Sequence, residues 1–130
     1  CLPVFLWNEY HAGAFHAGWR GIAEGIAERM LKSFPSDIKY ILLGNCICPN
    51  CYRVGEDVRE AATDGITDGH PPGALDLSIA VLNRFASAGL SGSVRIFRLP
   101  ECTFCREELF HSYRRGKTDE RNLQWLWKEQ

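Results

Sequence analysis

The chain has 130 residues, a hydrophobic fraction of 45%, an aromatic fraction of 12% and a formal net charge of −1, from 15 Lys+Arg against 16 Asp+Glu. That is the size of one domain with enough apolar residues for a core, which excludes a disordered chain. The balanced charge gives no global attraction to nucleic acid or an anionic membrane, and the longest apolar runs, such as Tyr40-Ile41-Leu42-Leu43, are far too short to span a bilayer.

In chain order, Val4 to Trp7 reads as a short buried strand, followed by a turn at Asn8-Glu9-Tyr10 and a second apolar stretch from Ala12 to His16. The start, from Cys1 to Trp7, has no basic leader and resembles the middle of a strand. A fragment of a longer, cytoplasmic protein is therefore expected, forming a single domain over residues 1–130. After Ala17-Gly18 a helix is predicted, because Trp19, Ile22, Ala23, Ile26, Ala27, Met30, Leu31 and Phe34 recur at helical spacing, with Pro35 as its stop. Ile38 to Leu43 is a strand by composition, and Cys46 to Gly55 a loop. Glu56 to Ala62 suggests a short helix, residues 68–73 a loop, and Asp76 to Ala88 an amphipathic helix ended by Gly89. Val94 to Leu99 is a strand, Cys102 to Tyr113 a short helix or turn cluster, Arg114 to Arg121 a charged loop, and Leu123 to Trp127 a last strand. Alternating strands and helices place the chain in the α/β class.

Six cysteines are present, at positions 1, 46, 48, 51, 102 and 105. Four of them form the C-x-x-C pairs Cys48/Cys51 and Cys102/Cys105, which in the absence of a secretory signal read as metal thiolates or as small buried side chains. Together the pairs make a plausible four-thiolate zinc site. Against it stands the interval of 51 positions from Cys51 to Cys102, where zinc ribbons close in roughly 15–20. The bland reading of Cys102 and Cys105 as apolar packing stands beside it.

Several familiar catalytic patterns are missing. Gly116-Lys117-Thr118 ends like a P-loop, but His111 stands where that motif needs glycine. There is no H-E-x-x-H, no H-x-E with P-C-x-x-C of the zinc deaminases, and no G-x-S-x-G. What is present is His16-Ala17-Gly18-Trp19-Arg20-Gly21, a histidine at a strand end followed by small residues that let a ligand approach the backbone. His70 lies in a Gly/Pro loop, where a histidine is commonly just exposed. The basic run from Ser112 to Lys117 suits an oxyanion clamp or an ordinary solvated turn.

These segments in this order, joined by Cys1-Leu2-Pro3-Val4, Cys51-Tyr52-Arg53-Val54-Gly55-Glu56, Cys102-Thr103-Phe104-Cys105 and Ser112-Tyr113-Arg114-Arg115-Gly116-Lys117-Thr118, resemble the YfiH-type laccase-domain family through nearly the whole chain. The resemblance implies a four-layer α/β/β/α sandwich, here lacking its N-terminal portion. It also implies purine nucleoside phosphorylase activity on inosine, adenosine or methylthioadenosine, with adenosine deaminase activity as well. The alternatives are a peptidoglycan-precursor editing hydrolase of the same family, or a non-enzymatic module held by a structural zinc at Cys48, Cys51, Cys102 and Cys105.

The cofactor the family implies is one zinc held by His16, Cys51 and a second histidine. His70, nineteen positions after Cys51, is taken for that role, with Asp68 beside it as the other candidate. Arg20 and Cys51 are the implied catalytic residues, and Arg20, Arg114 and Arg115 the implied contacts to phosphate or ribose. Copper, suggested by the older oxidase label, suits a chain with four histidines poorly. The implied partner is a small-molecule substrate, a purine nucleoside with phosphate, with no nucleic acid and no membrane, and with a homodimer left open.

This sequence departs from the family pattern at Gly44-Asn45-Cys46-Ile47-Cys48-Pro49-Asn50-Cys51-Tyr52, where members read like G-P-x-x-G-P-C-C-Y. It departs at Ala74, where many carry histidine, and in lacking an upstream Gln-Val-His-Gly stretch.

Overall fold

The structure, a computed structural model, describes residues 1–90, 92–127 and 129. One mixed sheet of four strands has the order β2-β1-β3-β4. β1 (Leu2–Trp7) and β2 (Ala12–Ala17) form an antiparallel hairpin in which Pro3 faces His16 and Leu2 faces Ala17. β3 (Tyr40–Leu43) lies antiparallel to β1 on its other side. β4 (Arg95–Arg98) then pairs parallel to β3, from Tyr40↔Arg95 to Leu43↔Arg98. A parallel pair needs a long crossover. Here it contains α3 (Glu56–Thr63) and α4 (Leu77–Ser87).

Alternation along the strands separates two faces. Leu2, Val4, Leu6, Ile41 and Leu43 are fully buried in one cluster with Ile22, Ala27, Leu77, Val81 and Phe85 of the helices. The opposite face carries Phe5, Trp7, Tyr40, Leu42 and Phe97. Phe5 is buried and the Trp7 and Tyr40 rings stack at 5.2 Å, but Phe97 is 47% exposed. The described residues therefore make two layers, helices on one face of one sheet.

The helix expected from Trp19 to Phe34 is two, α1 (Trp19–Ala23) and α2 (Ile26–Ser33). The break is Gly25, whose φ of +79° is a left-handed conformation that glycine adopts without a Cβ clash. The strand expected at Leu123–Trp127 does not form: that segment has no ladder partner and leaves Leu123 and Trp125 exposed. It runs instead over the outer face. Gln124 donates to Asn45 O and accepts from Asn45 N, both at 3.3 Å, and Leu126 and Trp127 lie beside Trp7 and Tyr40. A Cβ at Gly44 would meet Gln124 Oε1, so a side chain there would push the Gln124 amide off Asn45. Part of the expected charged loop is a short helix, α5 (Tyr113–Gly116). No helix of the described residues is long and apolar enough to cross a membrane.

Asp76 ties the crossover to the sheet. Its Oδ1 caps α4 by accepting from Ser78 N (2.9 Å) and Ile79 N (3.2 Å), and its Oδ2 accepts from Arg98 of β4 (3.1 Å). The Asp76 N–H in turn donates to His70 Nδ1 at 3.0 Å. His70 is only 8% exposed, and its Nε2 is buried without a hydrogen-bond partner among the described residues. The ring is thus the neutral tautomer with its proton on Nε2.

Two outcomes follow from this packing. Phe85→Ala removes a fully buried ring that meets Phe15 edge-on; a loss of about 3–5 kcal/mol in unfolding free energy is expected, read by urea denaturation. His70 has its imidazole pKa lowered from 6.5 by burial, against the opposing charge of Asp76. A lowered base binds fewer protons folded than unfolded, so its contribution is complete above about pH 6.5 and is lost as pH falls through the folded value. His70→Asn, which keeps an acceptor near Nδ1, is expected to flatten the decline of the urea midpoint between about pH 7 and 5.

Candidate active site and thiol cluster

The hairpin and the helix that follows it open onto a cavity of about 660 Å³. β2 delivers His16 to the helix-free face, Gly18 turns the chain, and α1 begins at Trp19, so that His16 and Arg20 both line this space. Tyr52 lines it from the loop after β3, and Ser112, Tyr113 and Arg114 line it from the start of α5. Cys1 lines it too. A Cβ built on Gly18 would lie 3.8 Å from Cys1 Sγ and 3.9 Å from His16 Nε2, so a thiol and an imidazole face the same small volume. Desolvation in this wall lowers the His16 pKa below its ordinary value, keeping the ring neutral and able to act as a ligand or acceptor.

One guanidinium stacks on a phenol of this cavity, and a second lines the same space. Arg114 stacks over the Tyr52 ring at 4.9 Å and donates to Arg53 O at 2.9 Å, and Arg20 stacks over Trp19 at 4.7 Å. Desolvation raises the Tyr52 pKa, while the charges of Arg114 and Arg20 both act in the other direction. The phenol therefore stays a neutral donor in a cavity that two cations also line, a set of groups suited to an anion. Arg115 does something else. Its guanidinium donates to the carbonyls of Thr103, Phe104 and Phe110, fastening the segment that carries Cys102 and Cys105.

Beside the cavity, the Sγ atoms of Cys48, Cys51, Cys102 and Cys105 all lie within 4.8 Å of one another. The topology explains how pairs so far apart in sequence meet. β3 and β4 run parallel, and past their ends the chain bridges again at Cys46↔Cys102, so the two C-x-x-C turns leave the sheet side by side. In one turn the N–H groups of Cys51 and Tyr52 both donate to Cys48 O at 3.0 Å; in the other Arg106 N donates to Cys102 O at 3.0 Å. Cys102 Sγ accepts from the N–H groups of Cys48 (3.2 Å) and Cys105 (3.4 Å). Although desolvation acts to raise it, these donors bring the Cys102 thiol down to about 6. Cys51 is pushed the opposite way, by desolvation and by the neighbouring thiols. Four such sulfurs are positioned to bind a metal ion.

The expected ligand set of His16, Cys51 and His70 is not gathered. Among the described residues Cys51 belongs to the four-thiol group, of which neither histidine is a member. His16 lines a cavity that neither Cys51 nor His70 lines; the Nδ1 of His70 accepts the Asp76 N–H, and its Nε2 is buried and unpartnered among the described residues. Asp68, the other candidate for the third position, is exposed in the turn before His70. Cys1 shares this wall with His16, a pairing that no spacing in the sequence marks. Only the hairpin register, with Leu2 opposite Ala17, sets the preceding residue beside His16.

A mixed α/β domain with a helix-covered four-stranded sheet, a polar cavity at the end of its central hairpin and a thiol group beside it is a recognisable class. The family described as multi-copper polyphenol oxidoreductase laccase matches residues 1–129, and the chain belongs to that family. It is 36% identical over 135 residues to "Purine nucleoside phosphorylase YfiH" of Escherichia coli K12, covering 98% of this chain and 56% of that protein. It is 35% identical to "Purine nucleoside phosphorylase YlmD" of Geobacillus stearothermophilus, covering 90% and 48%. The crystal structure of that YlmD superposes with a TM-score of 0.72 at 34% identity, over 90% of this chain and 49% of the other. Neisseria meningitidis NMB0706 gives 0.69 at 27% identity, over 88% and 51%. The chain thus spans about half the length of the relatives it matches.

Proposed function

We propose that the cavity is the substrate site of a purine nucleoside phosphorylase, acting on inosine, adenosine or methylthioadenosine with inorganic phosphate. The observation that carries this reading is that Arg20, Arg114, the Tyr52 phenol and His16 all line one cavity. Names borne by the relatives support the choice of substrate.

Phosphorolysis breaks the bond between purine N9 and ribose C1′. A phosphate oxygen forms the new bond to C1′, and the base leaves with the bonding electrons and takes up a proton. Two forked cations hold phosphate in line with C1′, and the dianion they hold offsets the positive charge that develops on the ribose. The neutral Tyr52 hydroxyl donates to the same anion. His16 and Cys1 are the residues of this cavity that would hold a zinc, whose chemistry there is Lewis-acid polarisation of a bound oxygen. In this reading Cys51 is not a ligand at the cavity. Deamination of adenosine and editing of a peptidoglycan precursor are competing reactions at the same cavity, and the full four-layer sandwich is the architecture in which it would operate. The apolar outer face, with Phe5, Trp7, Tyr40 and Leu42, offers the surface on which a second sheet would pack.

In the full-length protein, inosine and phosphate are expected to give hypoxanthine and ribose 1-phosphate. Arg20→Met and Arg114→Met are each expected to lower kcat/KM by about 100-fold with the fold unchanged by circular dichroism. No phosphate-dependent base release, or release indifferent to both substitutions, would sink the assignment. Release of ammonia from adenosine without ribose 1-phosphate would point to the deaminase reaction instead.

A further inference from the structure

We infer that Cys48, Cys51, Cys102 and Cys105 bind one zinc ion in a closed four-thiolate site that fastens the loop after β3 to the loop after β4. This does not depend on which reaction the cavity performs. A tetrahedral zinc with Zn–S bonds of about 2.3 Å sets its sulfurs roughly 3.8 Å apart. The four Sγ atoms already lie within 4.8 Å of one another, and Cys51 and Cys105 approach to 3.4 Å. Small inward shifts close the shell, whereas a disulfide needs about 2.05 Å between two of them and would leave the other pair aside.

The backbone is arranged for a metal thiolate rather than for four packed thiols. Each pair occupies a tight turn closed by N–H donation to the carbonyl of its first cysteine, Cys48 or Cys102. The N–H groups of Cys48 and Cys105 aim at Cys102 Sγ, which orients and stabilises a ligand anion. Cys102 is buried, Cys48 and Cys51 are half-buried and Cys105 is exposed, so the site has an inner wall and one side by which an ion enters. Binding releases to solvent the protons of whichever thiols still carry them. Thiolates alone in tetrahedral array select zinc or iron among common metals, and a complete set of four protein ligands leaves no position for water or substrate, the mark of a structural site.

The position of the cluster gives it a consequence. Tyr52 follows Cys51 directly and Thr103 follows Cys102, and both line the cavity. Arg115 grips Thr103 and Phe104 from α5, the helix that also holds Arg114 over Tyr52. The metal would therefore hold together the wall that carries Tyr52 and Arg114 without touching what binds there.

The test uses the full-length protein purified without chelator, with zinc measured by elemental analysis in the wild type, in His16→Ala and in Cys105→Ser, and X-ray absorption recorded at the zinc edge on His16→Ala. That variant removes the cavity's own metal candidate, so the zinc it keeps reports on the thiol site alone. The expectation is that His16→Ala retains one zinc with a shell of four sulfurs at about 2.3 Å, and that Cys105→Ser loses one zinc relative to the wild type. Cys105→His, which restores a ligand, is expected to recover it and guards against simple misfolding. A shell containing nitrogen or oxygen, iron in place of zinc, four thiols consumed as disulfides, or zinc content unchanged by Cys105→Ser would each overturn the proposal. Failure of phosphorolysis with this shell intact would count against the cavity reading and leave the thiol site standing.

Discussion

The parallel pairing of β3 with β4 is the constraint on which the functional end of the molecule rests. Those strands are joined by a crossover that contains α3 and α4, and their ladder continues past the sheet as the bridge between Cys46 and Cys102. Everything that follows each strand is thereby delivered to the same place. The first loop brings Cys48, Cys51 and Tyr52; the second brings Cys102, Thr103 and Cys105, with Arg114 a little further on. Asp76 secures this pairing from the helix side, capping α4 while binding Arg98 of β4, so crossover and edge strand share one carboxylate.

The thiol cluster and the pair formed by Cys1 and His16 differ in kind. The thiol cluster is made from the loops that follow β3 and β4, and its donors are all of one soft type. The pair formed by Cys1 and His16 faces an open cavity with two cations and a phenol in it. The cluster adjoins the cavity wall in sequence, since Tyr52 follows Cys51 and Thr103 follows Cys102, and both line the cavity. Charge is likewise divided by role: Arg20 and Arg114 present guanidinium groups to the cavity, whereas Arg115 is engaged with three backbone carbonyls.

The two faces of the sheet are finished differently. Helices seal one face with fully buried Leu, Ile, Val and Phe side chains. The other is crossed by the segment around Gln124, which binds Asn45 by its side-chain amide, and it keeps Trp7, Tyr40 and Phe97 near the surface. A hydrophobic sheet face of this composition is what a second layer would cover.

By itself the sequence determined most of the elements, because composition, period and punctuation are local: short apolar runs marked β1 and β3, helical spacing marked α2 and α4, and Pro35 and Gly89 marked helix ends, while the break at Gly25 went unmarked. It also determined the family, through His16-Ala17-Gly18-Trp19-Arg20-Gly21 and the segments that follow it. It did not determine partners. The interval of 51 positions between the C-x-x-C pairs counted against their meeting, and the parallel ladder removes that objection, since spatial neighbours across a crossover need not be near in sequence. The same limit hid Cys1 beside His16, hid that Cys51 sits with other thiols and not with histidines, and made Leu123–Trp127 look like a strand when it crosses the outer face of the sheet without pairing to an edge. A side chain's type and spacing report what it can do. Which residues it does it with is decided by backbone hydrogen bonds between segments far apart in the chain, and only the tertiary structure contains those.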